Sequence, residues 1–294
     1  MQTNKKAVAL GLFDGVHTGH RTVIGKAAAM TSKGLTPAVF TFDIFSIHEK
    51  QGRTVEYIYG NDYRTKLIGD MGVSSENIFS FDFNEIKDMS GEEFVRNILI
   101  NKINTGYAVC GNDFRFGRNA SCGINELSAL GKKYGFIFEI AEDVKIGGEN
   151  ISSNRIRSCL KNGDILSANR LLGDSYTVSG EVVDGNHIGR TINFPTINQN
   201  YFKGQIVPAY GVYRTSVTID GKIYDSVTNV GIKPTVAGTR NPLAETHILN
   251  YSGDLYGCNI ETAFCEFIRP ETKFPSIDAL KAQIMRDIAS VNAL

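Results

Sequence analysis

Two histidines lie three residues apart near the start of the chain, at the end of a glycine-rich turn. His17 and His20 belong to the stretch GLFDGVHTGH, residues 11–20, which begins within an apolar segment predicted to be a strand. Side chains at i and i+3 of a beginning helix project to one side, and the N–H groups of a first helical turn favour an anion. Two imidazole donors in that position suit phosphoryl transfer, in which negative charge develops on oxygen. An ordinary pair of surface histidines is the alternative that the pair alone leaves open.

The glycines around the histidines favour the phosphate interpretation. Gly11, Gly15 and Gly19 remove side chains where the backbone must turn tightly or approach a ligand closely. A zinc site fits less well, because no third ligand with suitable spacing lies nearby.

A second group of phosphate-binding residue types begins another predicted helix. Ser152, Ser153 and Asn154 are types that cap helix N-termini. Arg155 and Arg157 follow them and can bring planar cationic forks to a triphosphate. A capped amphipathic helix with solvated arginines is the alternative.

A third candidate phosphate site lies in the second half, in SGEVVDGNHIGRTINFPTIN, residues 179–198. Thr196 and Asn198 are alternate residues, which face one side of an extended backbone. Two neutral oxygen ligands in that position suit a Mg²⁺ ion shared with a phosphate ligand. A glycine-rich turn followed by a Pro-Thr corner is the alternative. The glycines predicted to let backbone amides cradle phosphates are Gly180, Gly185 and Gly189.

Length and composition limit the class of protein. The chain has 294 residues, and domains of about 100–200 residues make two domains the expectation. Lys plus Arg and Asp plus Glu each total 31, so the zero net charge gives no support for a nucleic-acid partner. Five cysteines without a C-x-x-C pair are typical of free thiols in a reducing cytoplasm. No stretch approaches the roughly 20 apolar residues that span a bilayer. We therefore expect a cytoplasmic protein with no membrane partner.

Predicted strands alternate with predicted helices up to about residue 172. The strands are predicted at 7–13, 37–42, 76–83, 107–111 and 136–143, and the helices at 20–34, 61–72, 90–104 and 125–135. This alternation indicates βαβ units and a parallel sheet. We therefore predict a Rossmann-like domain over residues 1–174, with its ligands at the carboxyl ends of the strands.

Short strands separated by glycine turns follow from about residue 175. Asp220–Gly221 lies between two of them and is a hairpin signal. The pattern predicts a small antiparallel barrel or sandwich over residues 175–294. A helix at 276–291 closes the chain, and its apolar face contains Leu280, Ile284 and Ile288.

In order along almost the whole chain, these motifs resemble those of the bacterial bifunctional riboflavin kinases/FAD synthetases. The stretch at 11–20 is similar to the HxGH signature of nucleotidylyltransferases, in its longer G-x-F-D-G-V-H-x-G-H form. GNDFRFG (111–117) resembles the family's segment near the flavin and nucleotide, and ISSNRIR (151–157) its S-S-T-x-I-R motif on the ATP phosphates. The other similar segments are SGEVVDGNHIGRTINFPTIN, NVGIKPTV (229–236), AETHILNYSGDLYG (244–257) and FIRPETKF (267–274).

For the first half the resemblance implies transfer of AMP from ATP to FMN, which yields FAD and pyrophosphate. His17, His20 and Arg157 would then be catalytic. Asp113 and Phe114 would bind the flavin. The residues implied to bind the nucleotide are Gly11, Phe13, Asp14, Gly15, Gly19, Ser152, Ser153 and Asn154.

For the second half the resemblance implies a riboflavin kinase barrel that makes FMN from riboflavin and Mg-ATP. Glu245 matches the family's catalytic glutamate, which takes the proton of a ribityl hydroxyl as that oxygen attacks the γ-phosphate. His247, on the same strand face, is interpreted as structural or as a residue that supports the site from behind its direct contacts. The other implied residues are Gly180, Gly185, Gly189 and Arg190 for the nucleotide, Tyr256 and Arg269 for the flavin, and Thr196 and Asn198 for Mg²⁺.

Three departures from the family pattern keep alternatives open. Asn154 stands where threonine is usual, Asn193 where glycine is usual, and TFDIFSIH (41–48) where the family has T-F-D-P-H-P. Asn154 and TFDIFSIH motivate a riboflavin kinase with a weakened or inactive adenylyltransferase half. A nucleotidylyltransferase for another substrate would leave the second half unexplained, and a non-catalytic flavin-binding protein is the third alternative. The oligomeric state is left open.

Overall fold

The computed structural model describes residues 5–47, 49–50, 53–54, 56–185, 194–234 and 240–292. By contacts the chain divides into two compact units, Met1–Ser153 and Asn154–Leu294. The two helices before the predicted division at 174/175 therefore group with the second unit. The assignment of one activity to residues 1–174 and the other to 175–294 stays a prediction. All five cysteines are free, and no helix in the described part of the chain is long and apolar enough to span a membrane.

The first unit is built on a parallel sheet, as predicted. The strands run in the order β5-β2-β1-β6-β7, and each neighbouring pair is parallel. The elements are β1 (Lys6–Leu10), α1 (Thr18–Ala29), β2 (Thr36–Phe42), β3 (Glu49–Lys50), β4 (Arg53–Thr54), α2 (Asn61–Gly69), β5 (Ile78–Phe81), α3 (Phe83–Ile86), α4 (Gly91–Glu93), β6 (Thr105–Cys110), α5 (Ile124–Tyr134), β7 (Ile137–Ile140), β8 (Lys145–Ile146) and β9 (Glu149–Asn150). Because β1 is central, the loop that follows it lies in the middle of the carboxyl edge of the sheet.

Local sequence signals account for the helix ends. Ser90 and Glu93 form the predicted capping box at the start of α4, which continues as a π-helix over Phe94–Lys102. Gly34 has φ of 78° and ends the turn after α1. Strand β1 is shorter than its apolar run predicted, because Phe13 has φ of 54°, which extended backbone cannot adopt.

Both faces of the sheet are covered by apolar side chains. Val8 and Leu10 of β1 join one core cluster with residues of the π-helix, such as Leu99. The alternate residues Ala7 and Ala9 join a second cluster with the buried face of α1. This two-sided burial holds β1, and the start of its loop, at a defined position.

The second unit contains the predicted antiparallel barrel, which is closed in the order β10-β11-β14-β13-β12-β15. Asp220 and Gly221, with φ of 49° and 77°, form the predicted two-residue turn between two of the strands. The elements are α6 (Ser153–Lys161), α7 (Ile165–Leu172), β10 (Tyr176–Val183), β11 (Ile197–Asn200), β12 (Gly211–Ile219), β13 (Lys222–Pro234), β14 (Arg240–Ile248), β15 (Asn259–Pro270) and α8 (Ile277–Asn292).

Hydrogen-bonded side chains fill part of the barrel interior. The hydroxyl of Thr215 lies 2.7 Å from that of Ser226 and 2.8 Å from that of Thr228, which in turn lies 2.8 Å from that of Thr246. All four side chains are fully buried. Since buried hydroxyls without partners are costly, this chain of bonds favours one strand register over its alternatives.

The helices flanking the barrel are attached by specific polar contacts. Asn169 of α7 donates to the carbonyl of Phe264 at 2.8 Å. In α8, the carboxylate of Asp287 accepts three hydrogen bonds from Nε and Nη2 of Arg269 and is almost completely buried. Arg269 therefore holds the closing helix, whatever else it binds.

Gln199 provides a test of the polar interior. Its amide donates to the carbonyls of Gly180 and Ile260 and accepts from Thr262. Gln199→Leu removes all three bonds and leaves their buried partners without hydrogen bonds. We therefore expect the barrel to lose about 2–4 kcal/mol of unfolding free energy. Hydrogen exchange of the barrel peptides in increasing urea measures this loss. Thr218→Val, at an exposed position of β12, is the control and should change stability little; equal protection in the two variants would contradict the prediction.

Candidate active sites

A tight turn leads from β1 to α1 in the first unit. Phe13, Gly15 and Val16 have φ of 54°, 83° and 41°. Only glycine adopts such angles without strain, and a β-branched residue such as Val16 is an outlier there. The amide of Val16 donates to the Phe13 carbonyl at 3.1 Å, and Nε of Arg21 donates to the Val16 carbonyl at 3.1 Å. These bonds hold the turn in its strained form.

The two histidines stack on each other at the end of this turn. Their ring centroids are 3.5 Å apart and the planes differ by 17°. His17 caps α1, and its Nδ1 accepts from the backbone N–H of His20 at 3.3 Å. The proton of a neutral His17 therefore lies on Nε2, which is left to donate. A Cβ at Gly19 would lie 3.3 Å from the His17 ring, so glycine makes room for this stack.

Burial keeps both imidazoles neutral near pH 7. Desolvation lowers the pKa of His17 to about 4, from an ordinary value of 6.5. The pKa of His20 is also well below its ordinary value, because of desolvation first and then the nearby charges of His17 and Arg64. Nδ1 of His20 is buried and has no hydrogen-bond partner among the described residues. Each neutral imidazole therefore has one N–H group that can donate a hydrogen bond to an anion.

Asp14 and Ser153, both assigned to the nucleotide from the sequence, meet at the turn. Ser153 Oγ donates to the carbonyl of Asp14 at 3.0 Å, and the buried Asp14 carboxylate accepts from the amide of Ile58 at 2.8 Å. Ser152 beside them is exposed. The contacts link the start of the second serine motif to the histidine turn, and nucleotide binding by these residues stays a prediction.

Phe13 and Gly11 support the histidines from beneath. Phe13 is buried and its ring meets that of His20 edge-on, with centroids 5.3 Å apart. A Cβ at Gly11 would lie 2.9 Å from the Phe13 ring, so glycine allows the ring to fold back. The glycine pattern noticed in the sequence is therefore explained here by packing as well as by turn geometry.

The second serine motif continues into α6 of the other unit. Arg157 Nη2 donates to Oδ1 of Asn154 at 2.5 Å. Asn154, at the position where the family usually has threonine, therefore orients an arginine assigned to catalysis. Phosphate binding by both residues stays a prediction.

The described start of the loop after β2, residues 43–47, is held by hydrogen bonds although the family's two prolines are absent. His48, the last residue of the TFDIFSIH segment, lies outside the described residues. A 3₁₀ turn over Ile44–Ser46 begins at Asp43, whose carboxylate accepts from the amide of Phe45 at 2.9 Å. Asn61 of α2 donates to the same carboxylate at 2.6 Å and accepts from the Ile44 amide at 3.2 Å. Side-chain hydrogen bonds thus restrict the backbone conformation here, as proline rings would.

The GNDFRFG segment follows β6, the strand beside β1, and so lies at the same edge of the sheet as the histidine turn. Phe114 is half-buried and stacks on Phe116, with centroids 6.0 Å apart. Asp113 is exposed. Flavin binding by Asp113 and Phe114 stays a prediction that this placement supports.

Three polar residues share one face of the barrel in the second unit. Glu245 of β14 is directly opposite Asn198 of β11 and Asn229 of β13. Residues directly opposite each other in antiparallel strands lie on the same face with adjacent side chains. Asn229 Nδ2 also lies 3.4 Å from Oε1 of Glu271, to which it donates. The register thus brings the predicted base and one predicted metal ligand together.

Asn198 fits an oxygen-binding cation. Its side chain is buried, and its Oδ1 has no hydrogen-bond partner in the described part of the chain. A buried carbonyl oxygen without a donor is costly unless a ligand binds it. A Cβ at Gly185 would collide with the amide of Asn198, so glycine permits this position. A neutral carbonyl oxygen beside a carboxylate matches the donor chemistry of Mg²⁺.

His247 holds the segment that carries the other predicted metal ligand. Its Nδ1–H donates to the carbonyl of Pro195 at 2.7 Å, and its ring meets that of Phe194 edge-on at 5.6 Å. Thr196 follows directly and is half-buried. This contact agrees with the structural role interpreted for His247.

The remaining predicted kinase residues have varied positions. Gly180 lies inside β10, where a Cβ would meet no atom within 4 Å. Tyr256 packs beside an apolar cluster of the barrel, and Arg269 forms the ion pair with α8 described above. Gly189 and Arg190, with the departure at Asn193, lie outside the described residues. All of these assignments stay predictions.

Two residues of these sites were not found from the sequence. Arg64 is buried beside the histidine turn, yet in the sequence it is one charged residue in an ordinary helix. Asn229 opens the motif NVGIKPTV, which gave a signal, but only the strand register places it opposite Glu245.

The buried imidazole of His17 predicts a pH dependence of stability. The unfolded chain binds a proton near pH 6.5 and the folded one only near pH 4, so stability is lost as the pH falls between these values. Asparagine is also a good N-cap but does not titrate. Between pH 7 and pH 5, the unfolding free energy of His17→Asn should therefore fall by about 2 kcal/mol less than that of the wild type.

Hydrogen exchange of the α1 peptides, in the full chain at both pH values, measures this difference. His247→Asn, a change in the other unit, is the control and should follow the wild type. An unchanged pH dependence in His17→Asn would contradict burial as the cause.

Comparisons with known proteins cover both halves of the chain. A family model described as FAD synthetase matches residues 1–155, and one described as riboflavin kinase matches residues 172–294. A bifunctional riboflavin kinase/FMN adenylyltransferase of Haemophilus influenzae is 34% identical over 98% of this chain and 93% of its own length. The proteins of the same name from Bacillus subtilis and Escherichia coli K12 are 35% and 34% identical, over 96% and 95% of this chain and 90% of each relative.

A solved structure has the same fold along the whole chain. It is titled a macrolide-efflux protein from Streptococcus pneumoniae, and it superposes with a TM-score of 0.84 at 28% identity, covering 100% of this chain and 96% of its own. The family models and the near full-length relatives agree with the motifs and with the parallel sheet and closed barrel. The chain belongs to the family of bifunctional riboflavin kinases/FMN adenylyltransferases.

Proposed function

We propose that this chain is a bifunctional enzyme of flavin-cofactor synthesis. It phosphorylates riboflavin to FMN with ATP, and it transfers AMP from a second ATP to FMN, which gives FAD and pyrophosphate. The observation that carries the proposal is that one chain contains both matched segments. Its substrates are small molecules, and the free thiols support the reducing cytoplasm as the place of both reactions.

In the kinase reaction Glu245 acts as the general base. The ribityl hydroxyl oxygen bonds to the γ-phosphorus, the bond from that phosphorus to its bridging oxygen breaks, and ADP leaves. The hydroxyl proton goes to the Glu245 carboxylate. When bound, Mg²⁺ neutralises charge on the phosphates. Asn198, with its buried Oδ1, and Thr196 would hold it, and Asn229 beside Glu245 would help to orient the acceptor.

In the adenylyltransferase reaction the protein positions the reactants and stabilises charge. A phosphate oxygen of FMN bonds to the α-phosphorus of ATP, and the bond to the bridging oxygen of the leaving pyrophosphate breaks. No side chain has to form a covalent intermediate. Nε2–H of His17 and the imidazole of His20 donate to phosphate oxygens as their charge grows. Ser152, Ser153, Asn154 and Arg157 are assigned to the ATP phosphates, and Asp113 and Phe114 to the flavin.

The contacts of the residues that differ from the family pattern favour an active adenylyltransferase over a weakened one. The loop without prolines is held by Asp43 and Asn61, and Asn154 accepts a hydrogen bond from Arg157. Asn154 and the described start of the loop after β2 are thus each held by a hydrogen bond. Tyr256 and Arg269 remain candidate flavin contacts in the kinase half.

A time course of the purified protein tests both activities. Riboflavin, ATP and Mg²⁺ should give FMN first and FAD later, resolved by chromatography. FMN alone would mean that the adenylyltransferase half is inactive. If folded protein makes neither FMN nor FAD, the enzymatic proposal is refuted and a protein that only binds flavin is favoured.

Reciprocal variants test the assignment of the residues. Glu245→Gln should lower the rate of FMN formation by about 10²–10⁴-fold, because the general base is lost, and leave conversion of added FMN to FAD intact. His20→Ala should lower FAD formation by about 10²–10³-fold and leave FMN formation intact. Both rates are measured in each variant, so that each reaction serves as the folding control for the other. Variants that keep both activities would refute the assignments.

A further inference from the structure

Arg64 is a buried arginine that donates hydrogen bonds to two backbone carbonyls and to one side chain. It lies on α2 and is 3% exposed. Nη1 donates to the carbonyl of Leu12 at 2.5 Å, and Nη2 donates to the carbonyl of Phe42 at 2.7 Å. Nη2 also donates to Oδ1 of Asn61 at 2.9 Å. One guanidinium therefore bridges the loop after β1 and the carboxyl end of the adjacent strand β2.

Among the described residues, no carboxylate forms a direct ion pair with Arg64. Burial lowers the pKa of its guanidinium, and the nearby Asp14, Asp43 and Tyr57 act in the opposite direction. None of its described hydrogen bonds ends on a carboxylate. A buried cation is costly, so a well-packed apolar side chain would often be at least as stabilising. The bridging geometry is what an apolar side chain cannot reproduce.

Each of the two bridged carbonyls directly precedes a turn. Leu12 directly precedes Phe13, where the strained turn begins, and Thr41 Oγ1 donates to the same Leu12 carbonyl at 2.9 Å. Phe42 directly precedes Asp43, which begins the 3₁₀ turn. Arg64 thus sets the distance between the loop that carries His17 and the loop that departs from the family pattern.

We propose that Arg64 is a positioning residue for adenylyl transfer, which acts by fixing the turn that carries His17 and His20. This inference rests on the proposed FMN adenylyltransferase activity. Displacement of a catalytic group by about 1 Å can lower a rate by about 10²-fold without loss of binding. The role therefore predicts a fall in kcat rather than a rise in KM.

The test uses the full chain with FMN, ATP and Mg²⁺. Arg64→Met, which keeps the length but loses the fork, should lower kcat for FAD formation by about 100-fold, with KM values within about threefold and riboflavin kinase activity unchanged. Arg64→Lys keeps the charge but offers a single donor atom instead of a fork, and should give an intermediate kcat, about tenfold below the wild type. Lys66→Met, at an exposed position of the same helix, is the matched control and should behave as the wild type.

Hydrogen exchange of the β1 and α1 peptides separates positioning from folding. We expect Arg64→Lys to keep the wild-type protection while its kcat is reduced. Equal loss of protection in both Arg64 variants would make Arg64 only a stabilising residue and overturn the inference, as would a kcat in Arg64→Met within threefold of the wild type. A wild-type protein that makes FMN but no FAD would instead refute the adenylyltransferase activity itself.

Discussion

The backbone carbonyls between β1 and α1 lie in a buried turn, where each needs a hydrogen-bond donor. A buried polar group without a partner loses its bonds to water and gains none, so such groups are almost always satisfied. The turn cannot use a strand or helix ladder, because its φ angles are positive. Side chains from other parts of the unit supply the donors: Thr41 and Arg64 to Leu12, Ser153 to Asp14, and Arg21 to Val16. The position of the histidines depends on this set of bonds.

The same burial determines the protonation state of the two histidines. Desolvation lowers both pKa values, so the imidazoles are neutral at physiological pH. A neutral imidazole has one donor and one acceptor, and His17 uses its acceptor on the amide of His20. Its donor therefore has a fixed direction before a ligand arrives. Preorganised donors of this kind need no rearrangement when charge develops in a transition state.

In the barrel, one strand register serves both stability and chemistry. Thr246 belongs to the buried hydroxyl chain, and its neighbour Glu245 lies on the opposite face of β14. The same alternation holds in β11, where Gln199 is bonded inside and Asn198 lies beside Glu245. A slip of one residue would exchange the two sets. The buried hydroxyl network therefore also keeps the proposed base and metal ligand together.

Sequence patterns determined the elements and many of the reactive residues. Apolar runs predicted the strands of the parallel sheet, the Ser90–Glu93 spacing predicted a capping box, and Asp220–Gly221 predicted a hairpin, because each depends on neighbours in the chain. The motif around His17 and His20 also indicated phosphate chemistry and the family. The end of β1 was misplaced, since an apolar run contains no sign that Phe13 adopts a positive φ.

Only the tertiary structure decided what holds those residues in place. Arg64 is 52 residues from Leu12 in the chain, and Asn198 and Glu245 meet through strand pairing. The division of the contacts at Ser153 likewise depends on helices that pack on the barrel. Local sequence specifies the residue types and their propensity for helix, strand or turn, because this propensity depends on adjacent side chains and backbone. Long-range hydrogen bonds and burial arise only when distant segments pack together, so the contacts of Arg64 and the neutral state of the histidines required the folded chain.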